Sequence, residues 1–133
     1  MNQTDIFRSE ECVERYLRRS KEINDIGGTD LRELPFVKGW DLWVLVKNEF
    51  PYDRIAENHC LLVPKRRFTD DEEMSVEERH ELFEIKREFS GDKSFDLMCE
   101  SMAHDRSVPG MFHLHFLKLK YRTPLSDFRG IDK

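Results

Sequence analysis

The amino-acid sequence predicts an α+β domain built on an antiparallel sheet, and three observations lead there. Apolar, β-branched runs at 40–47 and 59–63 form one adjacent pair of strands, and runs at 95–102 and 111–121 form a second. Short loops join the members of each pair, which favours antiparallel pairing. A helix with its own start signal lies between the pairs, and another precedes them.

Each element has a local reason. Over residues 9–26, Val13, Tyr16, Leu17 and Ile23 recur at helical spacing among charged side chains, and Gly27 and Gly28 follow as a left-handed stop. Residues 29–39 read as a connector with a short extended piece around Phe36 and Val37. The 40–47 run is apolar on both parities, which suits a central strand covered on both faces. Pro64, which has no amide to give a ladder, closes the 59–63 strand. Ser75 and Glu78 have the spacing of a capping box, so a helix starts there, with Val76, Leu82, Phe83, Ile85 and Phe89 as its buried stripe and Ser90-Gly91-Asp92 as its end. The 111–121 run is the longest strand, entered by a turn at 105–110 and followed by an irregular tail, 122–133.

The 133 residues fit a single domain, 1–133, whose core runs from about 36 to 121. Ten Phe, 3 Tyr and 2 Trp are too many aromatics for a disordered chain. With 22 Lys+Arg against 27 Asp+Glu the net charge is −5, without the basic stripe of a sequence-independent nucleic-acid binder, so no nucleic-acid partner is expected. A local positive site for a small anion stays open. Cys12, Cys60 and Cys99 are an odd count without CxxC spacing, which indicates neither a disulfide framework nor a thiolate zinc site and fits a reducing compartment. No apolar leader core occupies residues 1–8, and no run approaches the roughly 18 apolar residues of a membrane span. The expectation is a cytoplasmic protein with no membrane partner.

The most informative stretch surrounds His113 and His115. Side chains alternate along a strand, so these two share one face while Phe112, Leu114 and Phe116 share the other. Their backbones sit roughly 7 Å apart, close enough for both rings to act on one phosphate or one metal ion. A metal would need a third ligand from His59, His104 or Cys99. As plain polar residues of a half-exposed strand they would carry no chemistry. His80 falls on the charged side of its helix, His104 lies in a loop, and Trp40, Trp43, Phe112 and Phe116 read as core. Lys65-Arg66-Arg67, at a strand exit, reads either as solvated surface or as a local attraction for phosphate near His59.

The run His59-Cys60-Leu61-Leu62-Val63-Pro64-Lys65-Arg66-Arg67, taken with His113-Leu114-His115, resembles the histidine triad family of nucleotide hydrolases and transferases. That family places a His before an apolar strand ending in Pro-Lys-Arg, then a helix, a strand, and a last strand carrying alternating histidines. The matching order runs here from about Trp40 to Lys120. The resemblance implies a histidine-triad-like α+β fold: a central antiparallel sheet of about five strands, an N-terminal helix and one helix between the strand pairs, commonly as a homodimer. It also implies attack by His115 on a nucleotide α-phosphate, giving a nucleotidyl-histidine that water or another acceptor resolves. His113 would orient the nucleophile, backbone amides at His59 and Gly110 would hold phosphate oxygens, and Asn48 would hold the ribose, with no metal or organic cofactor. Neutral imidazole is a competent nucleophile near pH 7.

Two departures qualify the match. Asn48-Glu49-Phe50-Pro51 is worded more like the uridylyltransferase and nucleotide phosphorylase branches, which vary the third histidine, usually to Gln. Here that position is Leu117, which cannot hydrogen-bond phosphate. A lost bond to a charged group is worth about 1.5–3 kcal/mol, roughly 10- to 100-fold in rate. Residues 100–106 also hold no Asn where relatives often have one. The implied function is a hydrolase or nucleotidyl transferase acting on a phosphoramidate, dinucleoside polyphosphate or nucleotide sugar; the alternative is a nucleotide sensor or protein-interaction module that has lost turnover.

Overall fold

A computed structural model describes residues 5–26, 30–102 and 110–120. Its strands are β1 (Phe36–Gly39), β2 (Trp43–Lys47), β3 (Ala56–Pro64), β4 (Leu97–Cys99) and β5 (Leu114–Leu119). They make one sheet in the order β1-β2-β3-β5-β4, every neighbouring pair antiparallel. Helix α1 (Glu10–Ile26) precedes the sheet, and α2 (Val76–Gly91) joins the β1-β2-β3 meander to the β4-β5 pair.

The register decides which residues share a face. Leu45, Leu62 and Leu114 form one cross-strand row, and the next row, on the opposite face, is Val46, Leu61, His115 and Cys99. The first face carries Trp43, Leu45, Cys60, Leu62, Leu114 and Phe116, which pack with Ile85 of α2. Two polar contacts seat the helix: Trp43 Nε1 donates to the Glu78 carbonyl at 2.9 Å, and the Leu42 amide donates to Glu81 Oε1 at 2.7 Å. The second face carries a smaller cluster of Leu31, Val46, Leu61, Val63 and Met111, followed along the strands by the histidines.

The capping box forms as expected. Ser75 Oγ accepts from the Glu78 amide at 3.1 Å, and Glu78 Oε1 accepts from the Ser75 amide at 2.8 Å. The stripe behind it needs correction: Leu82, Ile85 and Phe89 pack on the sheet, but Val76 is 79% and Phe83 67% exposed. With Glu78, Leu82, Ile85 and Phe89 turned to the sheet, the helical repeat carries Val76 and Phe83 to the outer side.

The strands differ from expectation in extent. The first central strand begins at Trp43, because the Trp40 amide bonds the Trp43 carbonyl across a tight turn from β1. The longest strand is β3, 9 residues, against 6 for β5, since its two partners are offset along it: β2 pairs with Cys60–Pro64 and β5 with Ala56–Leu62. The 95–102 run contributes only 3 residues to β4, while Asp96 turns its carboxylate onto the Leu119 amide at 2.9 Å. The Gly27-Gly28 stop, His104, most of the 105–110 turn, Tyr121 and the 122–133 tail lie outside the described residues. No helix among the described residues is long and apolar enough to cross a membrane.

Candidate functional site

On the second face, β3 and the stretch from His113 into β5 bring together three rings, His59 lying far in the chain from the other two. His59 is opposite Leu117 in the ladder, yet its ring reaches diagonally to the next row, where Nε2 meets His115 Nδ1 at 2.9 Å. The His113 and His115 rings lie 5.2 Å apart, centre to centre, with their planes at 67°. His59, His113 and His115 are 1%, 4% and 3% exposed, as deep as the apolar core. An uncompensated polar group at that depth is costly, so the position of each proton follows from its bonding partner.

The loop 48–55 supplies those partners. Asn48 Oδ1 accepts from the Phe50 amide at 3.0 Å, which orients its Nδ2 to 3.3 Å from each ring nitrogen of His59. The Tyr52 amide donates to His59 Nδ1 at 3.0 Å, and the Tyr52 ring stacks on His115 with centroids 5.4 Å apart. The start of α1 holds this loop in place. Asp53 accepts from the Ser9 amide and hydroxyl, both at 2.7 Å, and Ser9 Oγ caps the helix by accepting from the Cys12 amide. Arg8 Nε donates to the Phe50 carbonyl at 2.9 Å, and its guanidinium lies 4.7 Å from the Tyr52 ring centre.

Burial, followed by the nearby positive charges that protonated neighbours and Arg8 would present, pushes His59 and His115 each down to about 3. Both rings are neutral at pH 7. Burial likewise raises the Cys99 thiol, which stands opposite His115 on β4, and keeps it protonated. His113 Nδ1 lies 2.9 Å from the Met111 carbonyl. His115 Nε2 is buried without a hydrogen-bond partner among the described residues. The arrangement offers a neutral nitrogen lone pair and an N–H donor on adjacent rings, the pair of functions that phosphoryl chemistry uses.

His59, His113, His115 and Asn48 therefore share one cluster. Gly110 sits on the turn into β5 with φ +85, the left-handed region open to glycine. Lys65-Arg66-Arg67 leaves β3 about 20 Å along the strand from His59, so the cluster does not serve that residue. Arg66 is committed to buried Glu78 at 2.8 Å, whereas Arg67 Nε reaches the Gly110 carbonyl at 3.4 Å, three residues before His113. His80 stands on the surface beside Glu84. Leu117 is fully buried on the histidine face. Among the described residues, no group of three or more His, Cys, Asp or Glu side chains is placed to hold a metal ion. Sequence reasoning missed Tyr52 and Arg8. Tyr52 reads as a turn residue beside Pro51, and its decisive group is a backbone amide, which no side-chain pattern announces.

No family model and no curated protein matches the chain. Among solved structures it is similar to a histidine triad protein from Clostridium difficile, at 17% sequence identity and a TM-score of 0.51, over 88% of this chain and 96% of that one. The likeness, together with the five-stranded antiparallel sheet and its two helices, establishes a histidine-triad-like α+β fold.

Proposed function

We propose that this chain binds a nucleotide conjugate on its histidine face and acts at the α-phosphate, as a hydrolase or nucleotidyl transferase, through a nucleotidyl-histidine. The observation that carries the reading is the convergence of His59, His113 and His115, buried in mutual contact, with Asn48 closing the cluster. Burying three imidazoles adds less stability than apolar side chains of the same volume would, so an arrangement this deep points to use rather than packing. Leu117 favours a second reading, a nucleotide-binding protein without turnover, because an apolar side chain fills the place of a phosphate-bonding residue.

Intact-mass spectrometry after brief incubation with phosphoramidates, dinucleoside polyphosphates and nucleotide sugars separates the two. A nucleotidyl adduct on the wild type, absent from the double variant His113→Ala/His115→Ala, is the expected result. Saturable nucleotide binding with neither adduct nor product would establish the second reading instead. No binding by any member of the panel would overturn both.

A further inference from the structure

The histidine face is closed. His59 and His115 are 1% and 3% exposed, so a phosphate has no line of approach to either ring. His115 Nε2 is buried without a hydrogen-bond partner among the described residues, a demand that water or a ligand would meet if it could enter. Some part of the cover therefore has to move before the proposed reaction can begin. The strands are poor candidates, because β3 is paired to β2 and β5, and β5 to β3 and β4. The Tyr52 side chain lies outside the ladder. Its ring sits 4.3 Å from His59 and stacks on His115 at 5.4 Å, centre to centre, and its hydroxyl bonds the Ser101 side chain. Swinging that ring away leaves the Tyr52 backbone amide free to stay on His59 Nδ1.

Residues 5–9 hold the ring where it is. Phe7 stacks on Tyr52 with centres 4.8 Å apart, and the Arg8 guanidinium lies 4.7 Å from the Tyr52 ring centre. The attachment of this segment is polar. The Arg54 amide donates to the Phe7 carbonyl and Arg54 Nη1 to the Asp5 carbonyl, both at 2.8 Å. Arg8 Nε donates to the Phe50 carbonyl, and Asp53 accepts from the Ser9 amide and hydroxyl. Ile6 and Phe7 are 68% and 38% exposed, so little apolar area fastens the segment. A segment held by outlying hydrogen bonds with little burial opens locally, well below the free energy of global unfolding.

We propose that Tyr52 is a gate over the histidine face and that residues 5–9 are its latch. The arrangement described here is the closed, resting state. Release of the latch lets the Tyr52 ring leave His115 and opens the face to a ligand. The purpose of the gate rests on the function proposed above; its mechanics do not.

Two measurements on the intact chain test the gate without any nucleotide. The first is carbethoxylation by diethyl pyrocarbonate at pH 7, resolved by peptide mapping, with His80 on the surface as internal reference. His59 and His115 are neutral at that pH, so a slow rate reports access and not charge. In the wild type both should react far more slowly than His80. Asp53→Ala, which removes the acceptor of Ser9, should raise both rates about 10-fold and leave His80 unchanged, as expected for lost bonds to a carboxylate. The second is hydrogen exchange on the wild type, which holds even if Asp53→Ala fails to fold. The Ser9 and Arg54 amides should exchange together, at least about 10-fold faster than the Leu62 amide in the ladder. Histidines as reactive as His80 in the wild type, unchanged rates in folded Asp53→Ala, or latch amides as slow as Leu62 would each overturn the gate and leave the proposed function standing. A working gate on a chain that binds no nucleotide would sink that function alone.

Discussion

On the α2 side of the sheet, Trp43, Leu45, Leu62 and Phe116 fill the rows with apolar atoms; on the other side the same strands carry His59, His113 and His115 at equal depth. The first face is held by burial of area, which is non-directional and tolerates any side chain of the right volume. The second is held by a chain of directional bonds from the Tyr52 amide through His59 to His115, in which each group constrains the next. Equal burial thus conceals different physics. The apolar face should respond to lost volume and the histidine face to protons.

Trp43→Ala should have the largest effect, about 5 kcal/mol, because it opens a cavity at the centre of the apolar face and strips the Glu78 carbonyl of its donor. Denaturant midpoints read this directly, and a loss below about 2 kcal/mol would show that the face can collapse around the gap. Acid tests the other face. His59 and His115 titrate at about 3 in the folded chain against 6.5 for an ordinary imidazole. Between those values the unfolded chain binds protons that the folded chain refuses, so stability falls as pH drops through that window. Two rings give a loss of about 4 kcal/mol from pH 7 to pH 5, at about 1.4 kcal/mol per pH unit for each ring once below 6.5. Carboxylates respond mainly at lower pH, so urea midpoints unchanged between pH 7 and pH 5 would contradict the neutral pair. The smallest effect belongs to Phe83→Ser, which removes a large apolar side chain from solvent and should shift stability by no more than about 0.5 kcal/mol. A larger loss in thermal melts would mean that Phe83 is covered in solution.

Much of this contrast was legible in the sequence. The Ser75–Glu78 capping box, the both-parity apolar run of β2 and the alternation around His113 and His115 are local patterns, and local patterns survive folding when tertiary packing agrees with them. Val76 and Phe83 were misread because hydrophobicity marks a residue that can be buried, whereas the position of α2 over the sheet decides which ones are. The extent of β4 was misread because its run reads as strand over 95–102, yet only 3 residues find pairing partners on β5. His59 was placed in the site through its family-like motif. Its contact with His115 runs on a diagonal between rows, which no spacing along one strand specifies.

By itself the sequence determined the element types, their order, and the sharing of one face by His113 and His115, since these follow from caps, breakers and the period of a strand. Tertiary structure alone decided the bonds that the three rings make. Those depend on a Tyr52 amide and a Met111 carbonyl, chemically the same in every residue that could stand at either position except proline at the first, and given meaning only by the place where folding leaves them.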